Sequence, residues 1–290
     1  MPVDQRRING PEVTVPYQLY IDKSSNTAEQ QLDLLNKRED GRAHDDIRKM
    51  FMKTGLISQA KGSAYIEIGT TKVVCSVFDP REIPNKMGYS VQGNLYCEFK
   101  FASFSCKKRK IHQQDSQEKE YSLIMQRALE PAVCRHEFPN FQVDIYALVL
   151  DNGGSCLAAA ITAASLALAN ASIPMFGLVT AVSAGIYSDT VFLDTTTEEE
   201  ALCSTAPTKN HKSKNHGIIM QAYLPQHDQV AELYFVGDID ISAIAPVLET
   251  LTEASKNISL IAQQRLVKSV MKTLKEREKE KEHRIKTEIN

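Results

Sequence analysis

The stretch Gly55–Glu82, GLISQAKGSAYIEIGTTKVVCSVFDPRE, sets the fold class. Inside it, Ser63–Ile68 and Thr71–Phe78 are dense in aliphatic and β-branched residues, with only Gly69 and Thr70 between them. That arrangement predicts a β-hairpin. Downstream, Asn85–Gln92 is a polar loop and Asn94–Phe101 reads as a further strand. Cys106–Gln117 is a charged loop. Over Glu118–His136 the apolar residues Tyr121, Ile124, Met125, Ala128, Leu129, Ala132 and Val133 mark one helical face, with a break or kink expected at Pro131. Phe141–Leu150 is an apolar strand. Gly153-Gly154-Ser155 then opens a small-residue helix to about Asn170. Leu178–Tyr187 and Val191–Leu193 return to strand, and Glu198–Asn215 reads as a long loop without apolar period. His216–Leu224 and Val230–Val236 form a second hairpin. From Ile241 a helical pattern runs to the C-terminus, whose last part is almost purely charged and either projects as a solvated helix or frays. Strands and helices mixed in this way give an α+β protein. Residues 1 to about 50 are polar and irregular and read as an arm.

Composition bounds the function. The 290 residues carry 34 Lys+Arg against 36 Asp+Glu, a net of −2, and 42% are apolar. This is a globular chain able to bury a core without disulfides, and not a strongly basic nucleic-acid binder. The charge is segregated. Residues 1–120 hold 19 cations and 16 anions, 121–260 hold 6 and 15, and 261–290 hold 9 and 5. Phosphate-handling surfaces must therefore be local. The six cysteines show no CxxC pair and no zinc spacing, so buried reduced thiols are expected. No apolar segment follows the basic pair Arg6-Arg7, and the longest apolar run, 157–169, is shorter than a membrane span, so a soluble intracellular protein is expected.

Several motifs together resemble the ribonuclease PH-like subunits of the exosome. They are Arg38-Glu39-Asp40-Gly41-Arg42 with Asp46 and Arg48, the run Gly55–Glu82, Arg127–Val133, Asp151-Asn152-Gly153-Gly154-Ser155, and Ser165–Ala169. They occur in the family's order over roughly residues 38–270. The resemblance implies an α+β fold of two related halves over 38–270, an arm over 1–37 and a charged helix or tail over 271–290. It also implies a six-membered hetero-oligomeric ring with other such subunits, RNA-binding cap subunits, RNA passing through the channel, and no membrane. Nucleus, nucleolus and cytoplasm are the implied compartments.

Active members of that family cleave RNA from the 3′ end with inorganic phosphate. That chemistry needs cations on the phosphates, a helix N-terminus, and carboxylates holding a divalent metal. The family's GGTR or AGSR turn corresponds here to Gly153, Gly154, Ser155 and Cys156, so the arginine is a thiol. Ser155 is expected to cap the helix. The family's basic pair, in DRRSxE, corresponds to Ser116 and Gln117 within Asp115–Glu120. The acidic pair corresponds to Glu199-Glu200 and, further on, Ala206. The degenerate positions Gln117, Ser155 and Cys156 therefore imply a non-catalytic structural subunit of the ring, with no cofactor and no metal. The alternative is an active phosphate-dependent 3′–5′ exoribonuclease with displaced groups. A third reading is an RNA-binding module acting alone. Lys107, Lys108, Arg109 and Lys110 are the candidate RNA contacts, by sequence-independent phosphate pairing. Lys209, Lys212 and Lys214 with His211 and His216 form a second basic loop. Phe99, Phe101 and Phe104 look like core, so base stacking is not indicated. His44, His112, His211 and His283 are expected at the surface.

Overall fold

The computed structural model describes residues 38, 40–83, 89–188, 190–204 and 215–289, with side chains to residue 278. Two sheets are built, one from each half of the chain. The first holds β1 (Met50–Thr54), β2 (Gly62–Ile68), β3 (Thr71–Val77), β4 (Arg81–Glu82), β5 (Asn94–Phe101) and β6 (Phe141–Asp151). Its path is β1-β2-β3-β6-β4, and β5 runs parallel to β6. The second sheet has the order β10-β9-β7-β8, all antiparallel, from β7 (Thr180–Tyr187), β8 (Thr190–Leu193), β9 (His216–Leu224) and β10 (Gln229–Asp238). The helices are α1 (Ser116–Leu129), α2 (Cys156–Asn170), α3 (Thr197–Cys203) and α4 (Ile241–Ile289).

The expected hairpin is present, with Ile68 opposite Thr71 and Gly62 opposite Val77. Alternate residues of β3 are buried, the signature of a strand with one face on a core. α2 packs between the sheets, against β2, β3 and β6 on one side and β7 and β9 on the other. Thirteen consecutive residues of it, Cys156–Leu168, are buried. Small side chains are required there because two sheets must approach one helix. At Gly62 a Cβ would collide with the backbone at Ala167 and Ala171. α1 packs on β5 and β10, and α4 lies across β7, β9 and β1.

Three features differ from the sequence expectation. The apolar face of residues 118–136 holds, since Ile124, Met125, Ala128, Leu129, Ala132 and Val133 are all buried. However, the α-helix stops at Leu129, and Glu130–Ala132 is a tighter turn carrying Pro131, whose ring cannot continue the ladder. The long loop after Glu198 instead begins with α3. Its signal is a capping box: the Thr196 hydroxyl accepts from Glu199 N–H while the Glu199 carboxylate accepts from Thr196 N–H. Leu202 and Cys203 of α3 then bury against Tyr187 and Phe192. Finally, residues 40–49 are irregular but not a loose arm, and β1 follows them and pairs with β2. The second basic loop, Lys209–Lys214, and Ala206 lie outside the described residues.

Candidate functional site

The site forms around the turn between β6 and α2. Gly154 has φ +97°, and a Cβ on Gly153 or Gly154 would strike Thr70 or Thr195–Thr196. Both positions need glycine for space, and Gly154 also for its backbone. The turn's carbonyls are tied down by Arg48, which donates from Nη1 to Gly153 O at 2.8 Å and from Nη2 to Gly154 O at 3.2 Å. The Thr71 hydroxyl also donates to Gly154 O, at 2.6 Å. The same guanidinium grips Asp194 with Nε–Oδ2 at 2.8 Å and Nη2–Oδ1 at 2.7 Å. Burial alone would raise the Asp194 carboxyl; the hydrogen bonds and charge of Arg48 outweigh it and hold Asp194 below its ordinary range.

A second arginine does parallel work. Arg38 is 1% exposed and donates to both oxygens of Glu199, at 2.8 and 2.7 Å, and to the carbonyls of Leu193 and Asp194. Arg42 is less buried and reaches Asp40 and the Asp46 carbonyl. The motif at 38–48 is therefore a staple. It ties the segment before β1 to the β8–α3 connection and to the Gly153-Gly154 turn. Pattern reading recognised the motif but assigned the segment no structural work.

Gln117 is far in sequence from Ser155 and Cys156, yet all three line one cavity of about 320 Å³, with Tyr121, Ser183, Glu200 and Tyr234 around it. Ser155 stands at the N-cap position of α2 with φ +54°, but its hydroxyl makes no capping bond, contrary to expectation. The hydroxyl instead meets Ser183 Oγ at 2.5 Å and donates to Thr195 O at 3.1 Å, because the left-handed backbone turns it toward the second sheet. Its backbone N–H donates to Glu200 Oε1 at 2.7 Å. A carboxylate of the chain thus occupies the donor that a bound anion would use. Burial pushes the Glu200 carboxyl above its ordinary range, with the Ser155 N–H and Arg48 offsetting part of the effect. Cys156 is buried, and burial raises its thiol, so it offers neither charge nor a reactive thiolate. Gln117 donates from Nε2 to Tyr121 Oη at 3.2 Å.

The acidic residues at the start of α1 have a structural use. Asp115 caps α1, accepting from Ser116 N–H at 2.7 Å. Glu118 reaches back to Asp115 N–H and also accepts from Phe101 N–H, both at 2.9 Å, while almost wholly buried. It completes a capping box and pins β5 to α1.

The donor set does not suit a divalent metal. Both oxygens of Glu199 are committed to Arg38, and one of Glu200 to Ser155 N–H. Among the described residues no group of three or more His, Cys, Asp or Glu side chains could hold an ion.

The basic run lies beside the cavity. Lys110 links the two, with Nζ 3.4 Å from Gln117 Oε1, 3.6 Å from Asp115 Oδ2 and 4.9 Å above the Phe101 ring. Lys107 pairs with Glu198 at 3.2 Å. Lys108 and Arg109 make no ion pair among the described residues and line a groove of about 440 Å³ with Lys110. Phe99 and Phe101 are core as expected, but Phe104 is largely exposed, since it sits in the turn after β5 where no helix covers it. His44 is half-buried edge-on to Phe192 rather than on the surface, with its Nδ1 buried and unpartnered. The side chain of His283 and all of His211 lie outside the described residues.

Fold and site together define a ribonuclease PH-type domain. The model of the 3′ exoribonuclease family, domain 1, matches residues 46–174. The exosome complex component MTR3 of Homo sapiens is 34% identical over 285 residues, covering 93% of this chain and 96% of that protein. The exosome complex component RRP41-like of Arabidopsis thaliana is 36% identical over 229 residues, 79% of this chain and 84% of its own length. Rrp46 of rice (Oryza sativa) superposes with a TM-score of 0.67 at 24% identity, over 79% of this chain and all of that one. The chain belongs to the ribonuclease PH-like 3′ exoribonuclease family that includes these exosome components.

Proposed function

We propose that the chain is a non-catalytic structural subunit of an exosome-type six-membered ring, supporting 3′–5′ RNA processing and degradation by the assembled complex. One observation carries the reading: the Glu200 carboxylate fills the Ser155 N–H at the start of α2, where an attacking phosphate would need that donor free. Cys156 and Gln117 stand where, by family resemblance, arginines would hold the phosphates, and neither supplies a bidentate cation. Residues 38–270 form the ribonuclease PH-like domain, 1–37 an arm and 271–290 a charged extension. Partners are sister ring subunits and RNA-binding cap subunits, with RNA in the channel and Lys107–Lys110 touching its phosphates. Among the described residues no helix is long and apolar enough to cross a membrane. Nucleus, nucleolus and cytoplasm are the compartments that fit RNA processing.

The test is phosphate-dependent degradation of a single-stranded oligonucleotide by the pure full chain, with and without Mg²⁺. No release of nucleoside diphosphates is expected. Metal-dependent release abolished by Glu200→Ala would establish the active exoribonuclease instead. Affinity purification of the tagged chain should recover related ring subunits and cap proteins.

A further inference from the structure

α4 uses two faces. Val247, Leu251, Ala254, Ile258 and Ala262 face the body and are almost wholly buried. The contact continues to Ser269, whose Oγ lies 3.0 Å from Thr54 Oγ1, and Arg265 sits over the Phe51 ring. On the opposite face lie Leu260, Val267, Val270, Met271 and Leu274, exposed by 58, 61, 56, 50 and 47%. At 100° per residue these five fall within a strip about 100° wide. Leu260, Val267 and Leu274 recur every seven residues, and Met271 stands four beyond Val267. That is the a/d spacing of a helix that packs along another helix. The strip runs for about 21 Å, at 1.5 Å per residue. A solvated helix gains nothing from such a row in water, and nothing in this chain covers it among the described residues.

The flank of the strip indicates the partner. Lys268, Lys272 and Lys275, at i, i+4 and i+7, line one edge. Lys272 has a 3.8 Å contact with Glu276, and the other two make no ion pair among the described residues. Over residues 263–278, Arg265, Lys268, Lys272, Lys275 and Arg277 face only Glu276 and Glu278, a net of +3. A second copy fits poorly. Antiparallel pairing sets lysine edge against lysine edge, and any self-pairing brings together two surfaces that each carry a net of +3. The strip is aliphatic and narrow, without the aromatic residues that stack bases or the broad apolar face that sinks into a membrane surface.

We infer that this outward face of α4 is a docking site for an amphipathic helix of another protein, one whose apolar stripe is edged by Asp and Glu. The inference rests on α4 alone and is independent of whether the cavity beside α2 is catalytic. The probe is a fluorescently labelled peptide of about three heptads, with Leu at a and d and Glu at e and g, titrated with the full chain and read by anisotropy. Saturable binding is expected. Val267→Asp with Leu274→Asp should weaken it at least about tenfold, with an unchanged circular dichroism spectrum, because both residues are exposed. Charge reversal of Lys268, Lys272 and Lys275 to Glu should switch preference to the matching peptide with Lys at e and g. Equal affinity for both peptides, or none up to about 100 μM, would overturn the inference. So would a concentration-dependent dimer, or binding to anionic vesicles or to oligouridylate, that disappears with the same two Asp substitutions.

Discussion

The arginines at 38 and 48 and the basic run at 107–110 are both cation clusters near the Gly153-Gly154 turn, in very different surroundings. Arg38 and Arg48 are almost wholly buried, each clamped two-pronged on a carboxylate and satisfied by backbone carbonyls. In the run, Lys107 and Lys110 make looser pairs on the surface, and Lys108 and Arg109 make none among the described residues. A desolvated guanidinium with every donor used cannot also take up an external phosphate, whereas a solvated lysine can exchange its counterion for one. Cation content therefore says little about RNA binding here until each partner is known.

The largest break in this contrast should come from Arg48→Met. It leaves the buried Asp194 carboxylate with only the longer Arg42 contact at 3.8 Å and the N–H of residue 48, and it removes the guanidinium's bonds to the Gly153 and Gly154 carbonyls. Removing one partner of a buried pair costs about 3–5 kcal/mol. In a chain of this size that lowers Tm by roughly 10 °C or more, read by scanning calorimetry. Arg48→Lys should recover little of it, since an ammonium cannot span the carboxylate and two carbonyls. An undiminished Tm would mean that the clasp is not structural.

Acid should sharpen the same point. The Asp194 carboxyl is held below its ordinary value in the fold, so its contribution is fully present above about pH 4. It is lost as pH falls further, through the depressed folded-state value. The stability difference between the native chain and Asp194→Asn should accordingly be constant from neutrality to about pH 4 and shrink below it, in urea titrations at each pH.

A smaller effect of opposite sign is expected at Glu200. Burial raises its carboxyl, so at neutral pH the ionised form is disfavoured by the fold, and this is relieved as pH falls through the raised value. Glu200→Gln keeps an acceptor for Ser155 N–H and removes the charge. It should leave stability unchanged or higher by up to about 1 kcal/mol at pH 7. Strong destabilisation would show that the charge itself holds α2 in place. Glu200→Ala, which frees the Ser155 N–H, should instead admit inorganic phosphate weakly at the start of α2, visible by calorimetric titration.

The smallest stability effect belongs to the exposed run. Lys108→Gln with Arg109→Gln should change stability by less than about 0.5 kcal/mol. In an assembled ring it should weaken single-stranded RNA binding and lower the salt slope by about 0.7 per lost phosphate contact. An unchanged slope would remove these residues from the RNA path.

Much of the architecture was legible because its signals are local. Period-two burial in β3, the two-residue link at Gly69-Thr70 and the apolar face of 118–136 all depend on neighbours within a few residues. One failure was also local: the Thr196–Glu199 capping box was present in the sequence but hidden inside a polar run. β1 was missed because Met50–Thr54 is short and mixes Lys53 with apolar residues, and only pairing with β2 makes it a strand.

The sequence by itself determined the α+β class, the two hairpins, the small-residue α2 and the absence of arginine at positions 117 and 156. Side-chain identity and short-range period suffice for those. Only the tertiary structure decided what the charged residues do. Arg38 meets Glu199 across 161 positions and Arg48 meets Asp194 across 146, and Glu200 comes to rest on Ser155 N–H from 45 residues away. Burial then determines their chemistry, since a charge removed from water must find a partner wherever the fold places one. The motif at 38–48 thus serves as a clasp, and the free N–H at the start of α2 is taken by the chain's own carboxylate.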